Sequence, residues 1–220
     1  MPRTIFLDLD GTLIDPKPGI TGSIQHALRA MGFEPPDADS LEWCIGPPLS
    51  ESFPALIGPD GDIDRAIDHY RDRFSSTGMF QARVFDGVPD MLTGLRGSGY
   101  RCFLATTKPH LLATRIVEHF RLDDHLDAIF GSELDGTRSD KTSLVRFALD
   151  RTGSRPSESV MLGDRRHDIA GARANRVWSI GALWGYGQPG ELEAAGADAL
   201  VRHPAEVVGI VARRPGPDIS

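Results

Sequence analysis

Cysteine is nearly missing: Cys44 and Cys102 are the only two among 220 residues. That is too few for a disulfide framework or a thiolate metal cage. Long apolar runs are missing too, and none approaches the roughly 20 residues that cross a bilayer. There is no cationic excess. Lys and Arg number 24 against 31 Asp and Glu, a formal charge of −7. This excludes the broad basic field that nucleic acid or an anionic membrane surface requires. A small anionic ligand stays compatible, because a few local cations capture it. No internal repeat is evident, and acidic residues arrive within the first ten positions, which argues against a signal peptide. The expectation is a soluble, reduced, cytoplasmic protein with no nucleic-acid or membrane partner.

The 40% hydrophobic content is enough for a folded core. The length suits one large domain, or a core with a smaller insert. Thr4-Ile5-Phe6-Leu7 is a short apolar run without polar alternation, the pattern of a strand buried on both faces of a parallel sheet. Similar runs recur at Cys102–Ala105, Ala128–Phe130, Val160–Leu162 and Val177–Ile180. Helix-period segments lie between them, with Leu112, Ile116 and Phe120 on one and Leu144, Phe147 and Ala148 on another. Alternating strands and helices predict an α/β fold with a doubly wound parallel sheet.

About seventy residues separate the first strand from the next, far more than an ordinary crossover. They carry helical stripes at Ile20, Ile24, Leu28 and Met31 and at Ile63, Ile67, Tyr70 and Phe74, with Pro47-Pro48 between. Residues 15–84 therefore read as an inserted helical domain, and residues 1–14 with 85–220 as the α/β core. The Arg213–Pro217 segment reads as a frayed tail.

Ligands of a parallel sheet gather at the carboxyl ends of its strands. Those ends present Asp8 and Asp10, then Thr106-Thr107-Lys108, then Gly163-Asp164 with Asp168, and Lys141 opens the Leu144 helix. Asp8 and Asp10 are two apart, so an extended chain projects them to one side. Placing such carboxylates at the end of an apolar strand is costly unless a cation offsets them. Oxygen-rich sites of this kind suit Mg²⁺. Asp168 is also a natural helix cap, Thr106 an ordinary strand end, and Lys141 alone an ordinary surface lysine.

Taken in order, these segments carry a resemblance. Asp8-Leu9-Asp10-Gly11-Thr12-Leu13 resembles the first motif of the haloacid dehalogenase superfamily in its phosphatase form. Thr106-Thr107-Lys108-Pro109 is similar to the second motif, Lys141 to the third, and Gly163 to Asp168 to the fourth. The insert, with Ile45–Leu49, resembles the helical cap, and phosphoglycolate phosphatase-like members look nearest. Thr107, Thr142 and Pro16 depart from the commonest residues of these motifs.

The resemblance implies a Mg²⁺-dependent phosphomonoesterase acting on a small phosphorylated metabolite. Asp8 would be the nucleophile that forms an aspartyl-phosphate, and Asp10 the acid and base. Thr106, Thr107 and Lys141 would bind phosphate. Mg²⁺ would be held by Asp8, the Asp10 carbonyl and Asp164, with Asp168 acting through water or through the other ligands. The implied strand order is fifth, fourth, first, second, third, with a cap that closes about hinges near Asp15–Gly19 and Arg83–Gly87. A sugar phosphomutase and a non-catalytic phosphate-binding protein are the alternatives.

Other residues are less decisive. His110 and His167 lie near the rim but read as helix-terminal or solvated. Cys44 reads as a buried thiol. Trp43, Pro47, Pro48 and Phe53 either line the lid or pack the insert's core. The role of Trp184-Gly185-Tyr186-Gly187 is open.

Overall fold

The computed structural model describes residues 3–214. In chain order the elements are β1 (Arg3–Leu7), β2 (Ile14–Asp15), α1 (Lys17–Ala30), α2 (Leu49–Ile57), α3 (Ile63–Ser76) and β3 (Arg83–Val84). They continue with α4 (Val88–Gly97), β4 (Tyr100–Pro109), α5 (His110–His119), β5 (Ala128–Ser132), α6 (Lys141–Thr152) and β6 (Ser159–Gly163). The last are α7 (Arg166–Ala174), β7 (Trp178–Ala182), α8 (Glu191–Ala195), β8 (Ala199–Val201) and α9 (Val207–Ala212).

Six strands form one parallel sheet in the order β5-β4-β1-β6-β7-β8. This is the implied order read from the opposite edge, with β8 added beyond the fifth strand. β1 and β6 are central and buried along nearly their whole length, which is why they read as unbroken apolar runs. β8 has only three residues, two of them half-buried, so no such run marks it.

One face of the sheet packs Phe6, Phe103, Ala105 and Met161 against Val145, Ala148 and Leu149 of α6 and Ala172 of α7. Aromatic rings step across this face, from Phe6 to Phe103, Phe130 and Phe147, each pair 5.9 Å apart. α4 and α5 pack against β4, bringing buried Leu92, Leu95, Ile116 and Val117. Leu7 pairs with both Leu104 and Leu162, so β1 and β6 end nearly in step, level with Leu104 of β4. Whatever follows them is delivered to one rim.

β4 departs from the expected strand. It runs on through Thr106–Lys108 to Pro109, but its register with β5 breaks between Ala105↔Phe130 and Pro109↔Ser132. A step of four residues on β4 opposes a step of two on β5, so Thr106–Lys108 bulges out of the ladder at the rim. Pro109 is the N-cap of α5, with φ −52° and ψ 132°. Arg214 is not frayed, since its guanidinium donates to the carbonyls of Ser157 and Ser159. Residues 215–217 lie outside the described residues.

The chain divides into two units, Ile14–Arg83 and the remainder. In the first, α1 and α2 pack on α3. Ile20, Ile24 and Leu28 of α1 are buried, as are Phe53, Tyr70 and Phe74. Tyr70 stacks on Phe74 at 5.3 Å and meets Phe53 edge-on at 6.4 Å. A Cβ on Gly19 would lie 2.0 Å from the Gly78 carbonyl oxygen, so the helix approach requires a residue without one. The two passages of the chain pair as the short strands β2 and β3.

Candidate active site

The first motif begins where β1 stops. The Asp8 N–H donates to the Leu162 carbonyl at 3.0 Å, extending the ladder by one residue. The chain then turns: the amides of Thr12 and Leu13 both donate to the Leu9 carbonyl, and Gly11 sits at φ +81°. A Cβ there would also meet Asp164 Oδ2 at 2.1 Å. Asp10 thus lies within a turn, and the two acids are not the same-side pair of an extended strand. They take different cations, Asp8 pairing with Lys141 and Asp10 with Lys108, each at 2.7 Å.

Lys141 is the first residue of α6, behind the N-cap Asp140. Its ammonium donates to Asp8 Oδ1 at 2.7 Å and to the Ala105 carbonyl at 2.9 Å, and lies 2.7 Å from Asp168 Oδ1. The ammonium thus meets three oxygens, from the residue after β1, from β4 just ahead of Thr106 and from the first turn of α7. Its side chain is only 4% exposed, so the surface-lysine reading does not hold. Burial alone would lower its pKa, but Asp168 and Asp8 outweigh that and raise it. Gly171 makes room for it, since a Cβ there would lie 2.8 Å from Lys141 Cγ.

Asp164 follows β6 and is fully buried. Its Oδ1 accepts from the Thr12 hydroxyl at 3.0 Å and its Oδ2 from the Tyr186 N–H at 2.8 Å. Burial pushes its carboxyl well up, with repulsion from Asp168 and Asp8 adding to the rise. Asp168 both caps and pairs: Oδ2 accepts from the Arg165 N–H at 3.1 Å while Oδ1 faces Lys141. Burial raises its pKa, and Lys141 opposes the rise. Gly163 permits this geometry, since a Cβ there would fall 2.2 Å from Asp168 Cγ.

Asp8, Asp164 and Asp168 each bring a carboxylate oxygen within 4.8 Å of the others. With Asp10 they make four carboxylates against the ammonium groups of Lys108 and Lys141, a formal excess of two negative charges in a buried place. All the donors are oxygen. Charge and donor type both fit a hard divalent cation such as Mg²⁺.

Thr106 is buried, and its Oγ1 accepts from the Lys108 N–H at 3.3 Å. Thr107 is half-buried, and its carbonyl accepts from the Ser132 hydroxyl at 2.7 Å. Both lie on the bulge beside the Ala105 carbonyl that Lys141 holds. Lys108 is a group the motif reading missed as a site residue. Both it and Asp10 are largely shielded, the carboxylate keeping 14% of its exposure. Burial raises the Asp10 pKa against the pull of Lys108, and Asp8 adds to the rise. No pattern in the sequence announces this pair, because the bulge of β4 aims the lysine. Glu191 was missed likewise: it accepts from Arg165 Nε at 3.0 Å and from the Arg166 N–H at 2.8 Å, bracing the start of α7.

His110 is exposed at the start of α5, and His167 is half-buried in the first turn of α7. The Cys44 and Cys102 thiols are buried, and burial pushes them up to about 11 and about 12, which leaves them inert as nucleophiles. The aromatic alternatives in the insert divide. Phe53 is core, while Trp43 is 38% exposed.

Paired acids at the tips of central parallel strands, a buried lysine between them and a hydroxyl-bearing bulge define a phosphoric monoester hydrolase on a Rossmann-like core. The haloacid dehalogenase-like hydrolase family model matches residues 5–182, and the chain belongs to that family. It is 47% identical over 191 residues to a 5′-nucleotidase of Pseudomonas aeruginosa, covering 86% of each chain. It is 35% identical over 206 residues to the tyrosine-protein kinase PtkA of Mycobacterium tuberculosis, covering 94% of this chain and 70% of that one. A phosphoglycolate phosphatase of Agrobacterium fabrum is 29% identical over 195 residues, 84% of this chain and 82% of its own. Among solved structures, a predicted phosphatase from Clostridium acetobutylicum superposes with a TM-score of 0.92 at 37% identity, covering 97% of this chain and 100% of that one.

Proposed function

We propose that this phosphatase is Mg²⁺-dependent, hydrolyses small phosphate monoesters through an aspartyl-phosphate on Asp8, and takes nucleoside 5′-monophosphates as its preferred substrate class. The observation that carries the mechanism is the buried meeting of Asp8, Asp164 and Asp168, with Lys141 paired to Asp8 and Asp168. The 47% identity to a 5′-nucleotidase supports nucleotides over phosphoglycolate, whose named relative is more distant.

In this reading Lys141 aims the Asp8 carboxylate, and its charge also attracts the incoming phosphoryl group. Asp8, Asp164 and the Asp10 carbonyl would hold Mg²⁺, and the bound cation would supply positive charge to offset the repulsion between Asp8 and the phosphate. Asp8 Oδ attacks phosphorus, and the bond to the leaving oxygen breaks. Asp10 gives that oxygen its proton, then takes one from the water that hydrolyses the acyl phosphate. The raised Asp10 pKa suits this alternation. Lys108 holds Asp10 in position, and the Thr106 hydroxyl and the Thr107 region steady the phosphate oxygens. Asp168 works through Lys141 and not as a direct ligand, since its two oxygens serve the lysine and the helix start. Choice among esters falls to the unit Ile14–Arg83, where Trp43 offers an exposed ring.

No helix among the described residues is long and apolar enough to cross a membrane. Two buried free thiols suit the cytoplasmic setting we propose.

Similarity to PtkA supports one second reading, in which the acyl phosphate passes to a tyrosine hydroxyl and not to water. A phosphate-release panel decides. Nucleoside monophosphates, phosphoglycolate and sugar phosphates are each tested with Mg²⁺ and with chelator, alongside a tyrosine peptide as acceptor. Rapid, chelator-sensitive release from nucleotides is expected. Peptide phosphorylation outrunning phosphate release would favour the second reading.

A further inference from the structure

The segment after β7 runs Leu183-Trp184-Gly185-Tyr186-Gly187-Gln188, and its middle is tied to the motif segments while its ends are tied to β8 and α8. The indole N–H of Trp184 donates to the Thr12 carbonyl at 3.0 Å, holding the turn that follows Asp10. The Tyr186 N–H donates to Asp164 Oδ2 at 2.8 Å. The Gln188 N–H donates to Glu191 Oε2 at 2.9 Å, and the other oxygen of Glu191 holds Arg165 and Arg166. At its start the Leu183 N–H donates to the Val201 carbonyl at 2.9 Å.

The glycines between these anchors are there for space. Neither Gly185 nor Gly187 has a positive φ, so backbone conformation does not demand glycine. Closeness does. A Cβ on Gly185 would lie 2.3 Å from the Gly11 carbonyl oxygen and 2.4 Å from both Cβ and Oδ2 of Asp164. A Cβ on Gly187 would lie 2.4 Å from the Asp164 carbonyl oxygen. A connection serving only to join β7 to α8 would have no need to wrap a carboxylate so closely, nor to satisfy it from its own backbone.

We propose that Trp184–Gly187 is a backbone clamp that sets the Asp164 carboxylate and the Gly11–Thr12 turn in the geometry that receives the divalent cation, making Trp184, Gly185 and the Tyr186 amide positioning groups. The clamp fixes one of the two lone pairs on Asp164 Oδ2, and the Thr12 hydroxyl fixes one on Oδ1. The orientation of the remaining lone pairs is thereby set. Such hydrogen-bonded support of ligating carboxylates changes metal affinity by about 10–100-fold when removed. The inference rests on the Mg²⁺-dependent reading above.

The test is a Mg²⁺ and Mn²⁺ titration of the full chain by calorimetry, with Mg²⁺-dependence of turnover measured in parallel. Gly185→Ala is expected to weaken metal binding about tenfold or more, and activity should recover in part at saturating Mg²⁺. Trp184→Phe, which keeps an aromatic ring and loses the donor, should weaken binding by about threefold, less than loss of direct support to a ligand, since the indole holds the Thr12 carbonyl and not a carboxylate. Gly97→Ala, with nothing within 4 Å of the added carbon, serves as the control and should bind like the parent. Folded Gly185→Ala and Trp184→Phe variants with parental metal affinity would overturn the clamp while leaving the phosphatase reading intact. If Gly185→Ala fails to fold, Trp184→Phe alone decides. A parent chain that binds neither metal would overturn the Mg²⁺ reading and the clamp together.

Discussion

The core and the inserted unit bury different things. Among the described residues, the buried charged side chains are Asp8, Lys141, Asp164, Arg165 and Asp168, all in the core. The buried polar groups of Ile14–Arg83 are hydroxyls: Thr21, Ser23 and Ser52. Its ion pairs each keep one partner exposed, Asp39 and Glu42 beside Lys17 and Arg83 beside Asp15. Burying charge is unfavourable unless each group is paired or neutralised by a cation. A fold that nonetheless does so at one rim marks where its chemistry is done. The inserted unit is built by ordinary apolar packing, so its contribution has to be sought in selection.

The sharpest way to break this contrast is Asp8→Asn. Loss of the nucleophile should cut kcat at least about a thousandfold with the fold retained, as read by phosphate release and circular dichroism. Appreciable turnover would move the nucleophile elsewhere. Next comes Lys108→Met. With its partner gone, Asp10 loses its fixed position, and kcat on alkyl phosphates should fall about a hundredfold. A nitrophenyl ester, whose leaving group needs no proton, should lose far less, and Lys108→Arg should recover part of the loss. Equal losses on both esters would remove Lys108 from that role.

In the inserted unit the prediction divides. Phe53→Ala should destabilise by about 3–5 kcal/mol in denaturant titrations and leave kcat of the folded fraction unchanged. Trp43→Ala should leave stability alone and raise KM for nucleotides by less than about tenfold, in line with a side chain already half in water. A large fall in kcat from Trp43→Ala would erase the division between chemistry and selection.

The smallest effect is one of linkage. Burial and two neighbouring acids raise the Asp164 pKa in the metal-free fold. That carboxyl therefore supports the fold fully below the ordinary carboxylate range. The support is lost as pH rises through the raised value. A bound divalent cation favours the ionised form instead. Mg²⁺ should accordingly raise Tm by a few degrees more at about pH 8 than at about pH 5, and scanning calorimetry measures the difference.

Much of the core was legible because its central strands are buried on both faces. β1, β6 and most of β7 stand out as apolar runs ending in acids or glycine, and parallel topology alone brings those ends together. β8 was not legible, since three residues, two of them half-buried, make no pattern. Two helices of the insert were visible as stripes, whereas α2 was hidden among prolines. Asp8, Asp10 and Asp164 could be proposed from chemistry, while Lys141 needed the motif order to lift it above an ordinary lysine. The Lys108–Asp10 pair and the support from Glu191 and Tyr186 were invisible for one physical reason. They join segments distant in the chain through a bulge, a side-chain brace and a backbone amide, none of which has a periodicity.

Covalent capture tests the central claim most directly. Asp10→Asn, lacking the base that activates water, is mixed with Mg²⁺ and a nitrophenyl phosphate labelled in its phosphate, whose leaving group needs no proton from Asp10, then quenched in acid and digested. The account predicts a label that neutral hydroxylamine releases, on the peptide that contains Asp8. A protein that turns over substrate yet carries no label, or carries it on another peptide, would contradict it.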